Sequence, residues 1–315
     1  MNRIVGYNKS VNDVEFTIKK GETVGLVGES GSGKTTLGRC IVRLYDSTAG
    51  SIKFNVNGKM TELTNLSTKE MKNIRKNFQM LFQDVYSSLD TRMKISKIVT
   101  EPLDIHNVGT KKERIERAKE LMIKVGLSEN DLEKYPHQFS GGQRQRIGIT
   151  RALSINPEFI ICDEPVSALD VSVQAQILNL LGDLKNEFNL SYLFIAHDLS
   201  VVKYISDRII VMYLGKILEI ASSSDIYESP RHPYTEALLA AISKNEAGSK
   251  RDILLKGNIP DPSNPPSGCV LHPRCSYARD ICKNITPELM PVKGKPNAFA
   301  ACPVSYTHLT LPTKA

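Results

Sequence analysis

Long apolar runs are missing from this 315-residue chain. Those present are short, such as Ala237-Leu238-Leu239-Ala240-Ala241-Ile242, whereas a membrane-spanning helix needs about 20 apolar residues. A helical bilayer crossing is therefore excluded. The N-terminus shows no charged-then-apolar signal pattern, so the chain is expected in the cytosol. Arm-like basic runs are missing too. The 41 Lys and Arg and 34 Asp and Glu are dispersed. A net +7 spread in this way suits a solvated surface, or the vicinity of anionic lipid headgroups, better than a nucleic-acid patch. There is no internal repeat, no sustained heptad and no C-x-x-C pair. What remains is ordinary globular composition, 41% apolar and 24% charged, with length enough for one large core and an appendage.

Apolar spacing sets out alternating strands and helices. Thr23-Val24-Gly25-Leu26-Val27 reads as a buried strand, and Leu37, Ile41 and Leu44 recur at helical spacing after it. Residues 111–125 read as a helix with Ile115, Ala118, Leu121, Met122 and Val125 on one face. Phe159-Ile160-Ile161-Cys162 is a continuous apolar run, as in a parallel strand covered on both sides. Val173, Ile177, Leu180, Leu181, Leu184 and Phe188 mark another amphipathic helix. Tyr192–Ala196 and Ile209–Met212 are two further strands. The alternation predicts an α/β fold.

Between the first strand and its helix stands Gly28-Glu29-Ser30-Gly31-Ser32-Gly33-Lys34-Thr35, a G-x-x-x-x-G-K-[ST] match in the strand-to-helix context that defines a P-loop. Glycines let backbone N–H groups converge on phosphate oxygens, and the helix N-terminus adds its dipole. Lys34 is expected to bridge the β- and γ-phosphates, and Thr35 to bind Mg²⁺ through its hydroxyl. Asp163-Glu164 ends a strand. Asp163 is expected to hold Mg²⁺, and Glu164 to accept a proton from, or orient, the attacking water. Phe139-Ser140-Gly141-Gly142-Gln143 opens a further helix, where a Ser hydroxyl and glycine N–H groups make a phosphate clamp.

This order of motifs resembles the ATP-binding-cassette (ABC) ATPases. The resemblance implies an ABC-type P-loop NTPase: a RecA-like α/β core with a mixed sheet, a helical subdomain and a small Cys-rich C-terminal extension. It also makes Ser140, Gly141, Gly142 and Gln143 the signature that serves nucleotide on a second subunit. Gln83, in Leu81-Phe82-Gln83-Asp84, is similar to the Q-loop glutamine that contacts Mg²⁺ or water. His197, in Ala196-His197-Asp198, is similar to the switch histidine that reaches the γ-phosphate. Ser167-Ala168-Leu169-Asp170 is similar to the D-loop. Thr36 joins the nucleotide-binding loop, and Tyr7, 27 residues before Lys34, is the aromatic expected to stack on adenine.

Tyr86-Ser87-Ser88-Leu89, Tyr135-Pro136-His137-Gln138, Met212-Tyr213-Leu214-Gly215-Lys216 and Pro230-Arg231-His232-Pro233-Tyr234-Thr235 narrow the likeness to the F-type ATP-binding subunit of oligopeptide and dipeptide importers. The implied partners are a second ABC ATPase subunit of D-type, two transmembrane permease subunits and an extracytoplasmic solute-binding protein, with no nucleic acid. The implied place is the cytoplasmic face of the cell membrane. Related systems carry peptides, nickel or oligosaccharides. Two features depart from the pattern: Val85 replaces the usual proline, and the usual first strand is missing before Arg3. Only 106 positions separate Lys34 from Ser140, too few for the coiled coil of DNA-repair or chromosome-type relatives, and a translation-factor ATPase would need two cassettes.

Cys40 and Cys162 fall in apolar periodic segments and read as core. Cys269, Cys275, Cys282 and Cys302 cluster in the last fifth of the chain, which in a cytosolic protein favours metal over disulfides. With Pro265-Pro266-Ser267-Gly268-Cys269 and Pro273-Arg274-Cys275 they resemble the family's cysteine extension, which implies a 4Fe–4S cluster; zinc is the competing ligand, and a redox carrier a third function. The expected division is 1–245 for the ATPase, with its helical subdomain at about 88–155, and 246–303 for the extension. Residues 304–315 resemble translated sequencing-adapter readthrough and are set aside.

Overall fold

The computed structural model describes residues 8–243 and 255–304. Tyr7 lies outside them, as do residues 244–254, where the expected ATPase and extension meet, and all of the 304–315 tail except Val304. Among the described residues are strands β1 (Thr23–Val27), β2 (Lys53–Val56), β3 (Lys59–Glu62), β4 (Phe78–Leu81), β5 (Phe159–Asp163), β6 (Ser191–Ala196), β7 (Arg208–Tyr213), β8 (Lys216–Ser222), β9 (Met290–Val292) and β10 (Lys295–Ala300). The chain divides into two compact units: one takes residues up to 17, 23–37 and from 196 onward, the other 18–22 and 38–195.

In the second unit β4, β5 and β6 run parallel, with Phe78 opposite Phe159 and Cys162 opposite Phe194. Every residue of β5 is buried, which is why its sequence is apolar without alternation. The helices Ile95–Ile105, Lys111–Lys124 and Gly141–Leu153 pack around Leu89, Ile98, Val99, Ala118, Met122 and Ile147. Each large apolar side chain sealed there contributes about 1.5–3 kcal/mol. Thr110 and Glu113 form a capping box that starts the helix Lys111–Lys124, one residue short of the 111–125 expected from spacing.

Two expectations fail here. The helix after the P-loop ends at Ile41, and Leu44 is 48% exposed. Arg43 adopts a left-handed conformation, φ 51°, and Leu44 N–H returns to Arg39 C=O at 2.8 Å. This is a helix-stop geometry that apolar spacing does not reveal. Cys40 is only half-buried, unlike Cys162, because it lies in the last turn before that stop.

In the first unit β1 and β7 are parallel, Leu26 opposite Ile210. β7 then turns into β8, and β10 and β9 follow antiparallel, so this sheet is mixed. The helix Leu199–Ile205 packs against β1. The cysteine-bearing segment is joined to this sheet: Phe299 pairs with Ile220, and Ala301 N–H donates to Leu218 C=O at 2.8 Å. Main-chain bonding therefore supplies part of the order of this segment.

Candidate functional site

The P-loop leaves the end of β1 and turns into the helix Lys34–Ile41. A Cβ on Gly28 would lie 2.0 Å from Met212 C=O, so only glycine lets the loop pass that close to β7. Gly215 N–H donates to Ser32 C=O at 2.9 Å and ties the loop to the β7–β8 turn. Lys34 is 5% exposed. Its Nζ donates to Gly28 C=O at 2.8 Å, Glu29 C=O at 3.0 Å and Ser32 Oγ at 3.4 Å. The ammonium thus folds back over its own loop, with Gly31 and Gly33 in the turn and Thr35 and Thr36 in the first turn of the helix. Glu29 N–H donates to Tyr234 Oη at 2.8 Å, and Ser32 N–H to Glu29 C=O at 3.2 Å. Ser30 follows Glu29 at the loop apex. His197, exposed, follows β6, and Asp198 beside it caps the helix Leu199–Ile205.

The second unit brings Gln83 and Glu164 together: Gln83 Nε2 donates to Glu164 Oε2 at 2.9 Å. Asp163, 1% exposed, ends β5. Glu164 turns the chain out of the sheet in a left-handed conformation, φ 46°. Its N–H donates to Ile195 C=O at 3.0 Å, and its C=O accepts from Ser167 N–H and Oγ at 3.3 and 3.1 Å. A non-glycine residue held at positive φ marks stored backbone strain of a kind found at functional sites.

Ser140 is the N-cap of the helix Gly141–Leu153 and forms a capping box with Gln143: Ser140 Oγ accepts from Gln143 N–H at 3.3 Å, and Gln143 Oε1 accepts from Ser140 N–H at 3.0 Å. Ser140, Gly141 and Gln143 are exposed. A Cβ on Gly142 would meet Val173 Cγ1 at 2.5 Å, so the glycine is needed for the helix Val171–Phe188 to approach. Asp170 caps that helix. Hydrogen bonds from Val173 N–H and the Ser172 hydroxyl hold its carboxyl below the usual carboxylate range. The signature and the Ser167–Asp170 turn are therefore neighbours within one unit. Arg144 fastens the signature from below, donating to Phe139 C=O and Pro136 C=O and standing 4.9 Å over the Tyr86 ring.

All six cysteines are free thiols. Cys269, Cys275, Cys282 and Cys302 line one pocket with His232, His272 and Leu271. Burial, then the neighbouring thiols, pushes Cys269 and Cys275 up to about 11. Among the described residues, though, no three His, Cys, Asp or Glu side chains close into a metal-binding group. The thiols share a cavity without being drawn into a coordination set.

Sequence reasoning missed Tyr213, Tyr234 and Arg274, which gather at Glu29. Tyr234 and Arg274 lie inside motifs quoted above, but nothing local ties them to a residue 205 and 245 positions away.

Residues 11–167 match the family described as ABC transporter, and residues 218–282 the family described as Oligopeptide/dipeptide transporter, C-terminal region. The chain is 52% identical over 304 residues to the oligopeptide transport ATP-binding protein AppF of Bacillus subtilis (strain 168), covering 95% of this chain and 91% of that one. It is 56% identical over 241 residues to OppF of the same organism, covering 75% and 77%. Among solved structures, the dimeric post-hydrolysis state of the ATP-binding cassette MJ0796 bound to ADP and Pi aligns with a TM-score of 0.60 at 31% identity, covering 68% of this chain and 90% of that one. No helix among the described residues is long and apolar enough to cross a membrane.

Proposed function

For a chain that belongs to the ABC transporter ATPases of the oligopeptide type, we propose that it binds and hydrolyses ATP to power peptide import. The observation that carries this is the P-loop at the end of β1, with Lys34 folded over it. Lys34 exchanges its loop carbonyls for β- and γ-phosphate oxygens when nucleotide binds. Thr35, Asp163 and Gln83 would hold Mg²⁺, which would supply charge neutralisation at the phosphates. Thr35 is a hydroxyl at a helix start, Asp163 a buried carboxylate at a strand end and Gln83 an exposed amide, a donor set of hard oxygens that fits this ion. Glu164 takes a proton from the attacking water, and His197 reaches the γ-phosphate. Gly28, Glu29, Ser30, Gly31, Ser32, Gly33 and Thr36 shape the phosphate loop, and Tyr7 stacks on adenine.

Ser140, Gly141, Gly142 and Gln143 serve a nucleotide held by a second ATPase subunit, a D-type paralogue, and Asp170 shapes the contact. The exposed capping box at Ser140 supports that reading. Two permease subunits and an extracytoplasmic solute-binding protein complete the assembly, with this chain at the cytoplasmic face of the membrane. In proteoliposomes holding that assembly, peptide with its binding protein is expected to stimulate phosphate release at least several-fold, whereas the purified chain alone turns over slowly. Stimulation by nickel or an oligosaccharide and not by peptide would move the cargo assignment.

The four cysteines would hold a 4Fe–4S cluster, or zinc in its place. Four thiols lining one largely buried pocket support this. A bound cluster would supply cross-linking of segments 269–282 and 302. Chain purified anaerobically is expected to carry about four iron atoms and visible absorbance; about one zinc and no colour decides for zinc. Since the Cys269 and Cys275 thiols are protonated at neutral pH, loading must release protons. Affinity for added zinc is therefore expected to rise with pH, by up to about 1.4 kcal/mol per unit for each proton released.

A further inference from the structure

Two residues without a role in the chemistry above converge on Glu29. Arg274 lies in the cysteine-bearing segment, and its guanidinium takes the Glu29 carboxylate in a two-pronged pair, Nη1 to Oε2 at 2.6 Å and Nη2 to Oε1 at 3.1 Å. Nη1 also donates to Tyr213 Oη at 3.3 Å, and the guanidinium stands 5.8 Å over the Tyr213 ring. Only 7% of Arg274 is exposed. From the other side Tyr234 Oη accepts the Glu29 N–H, while its ring packs 4.8 Å from that of Tyr213. The chain neighbours of these two residues, Cys275 and Pro233, both line the thiol pocket. One P-loop residue is thus gripped by side chain and by backbone, each time from one step outside that pocket.

Charge gives the grip its consequence. A carboxylate in a loop that must accept a polyphosphate repels the incoming anion, most strongly where water is scarce. A forked guanidinium neutralises it and fixes its direction in a way that a lysine ammonium does not. We propose that Arg274 is a positioning residue for the P-loop: it neutralises and holds Glu29, and with Tyr234 it lets the cysteine-bearing segment set the affinity for nucleotide. The inference rests on the P-loop reading, and wild-type binding of Mg–ATP tests that reading separately.

The test is titration of the full-length chain with Mg–ATP, read by a fluorescent analogue and its displacement, alongside thermal melting. Arg274→Ala is expected to weaken binding about tenfold, within the usual span of coupling between sites. Arg274→Lys recovers only part of that loss. Adding Glu29→Gln to Arg274→Ala restores affinity to within about threefold of wild type, because the repelling charge is gone. A merely structural arginine would show no such rescue. An Arg274→Ala chain that melts near wild type yet binds within twofold of it overturns the proposal, as does a double variant weaker than the single one. If Arg274→Ala does not fold, Tyr234→Phe decides: loss of the acceptor for Glu29 N–H is expected to weaken binding at least threefold, and unchanged binding overturns the proposal. If wild type fails to bind Mg–ATP, both readings fall together.

Discussion

Glu164→Gln is expected to slow ATP turnover about a hundred- to ten-thousandfold while leaving Mg–ATP affinity within a few-fold of wild type. The measurement is phosphate release by the assembled importer with the other nucleotide site disabled, paired with equilibrium binding. The substitution is nearly isosteric, and its effect on structure should be small. Glu164 is held by its backbone, through Ile195 C=O and the Ser167 N–H and hydroxyl, and these bonds do not depend on the carboxylate. Its contact with Gln83 survives as well, since an amide oxygen accepts from Nε2 as a carboxylate does. What disappears is the capacity to take a proton. Glu164→Ala is a poorer probe, because it also removes the partner of Gln83. Turnover by Glu164→Gln within about threefold of wild type would show that Glu164 only orients its neighbours.

Lys34→Ala has the second large effect, and it acts on binding. On the proposed reading the ammonium makes charge-assisted hydrogen bonds to phosphate oxygens, worth about 1.5–3 kcal/mol each. In this structure, though, it already donates to Gly28 C=O, Glu29 C=O and Ser32 Oγ. Binding therefore exchanges one set of acceptors for another, and the net loss is smaller than the sum of new contacts. A weakening of about a hundredfold or more is expected, equivalent to about 2.7 kcal/mol. The same change removes a donor from two loop carbonyls in a largely buried place, so the free chain should lose about 1–3 kcal/mol of stability. Thermal melting reads both effects. ATP raises the melting temperature of wild type by mass action and leaves that of Lys34→Ala almost unmoved. An equal ATP-induced rise in the two proteins would remove Lys34 from the site.

The parts of the fold legible in the sequence are those in which local chemistry is decisive. The β1 strand, the glycine-rich turn and the helix at Lys34 follow one another within 19 residues, Thr23 to Ile41, and each is specified by its own composition. Strand β5 was legible because burial on both faces removes polar residues from it. The helix stop at Arg43 was not, since a left-handed arginine leaves no compositional mark. The docking of β10 on β8 was hidden for a different reason. Lys295-Pro296-Asn297-Ala298-Phe299-Ala300 has little alternation, and its register is set by a partner about 80 residues earlier. The candidate site divides in the same way. Residues inside compact motifs, from Lys34 to Glu164, could be named from sequence. Arg274 and Tyr234 could not, because they meet Glu29 through tertiary structure alone.

The capping box at Ser140 bears on how fast an encounter can succeed. Ser140 Oγ accepts the Gln143 N–H, yet a hydroxyl that accepts one hydrogen bond still has its own proton to give. The amides beside it are already aligned by the helix they begin. On the proposed reading, a nucleotide carried by another subunit would meet a surface whose ordering entropy was spent during folding. Rearrangement of this loop would then add little to the time of closure, which would be left to diffusion and orientation of the two subunits.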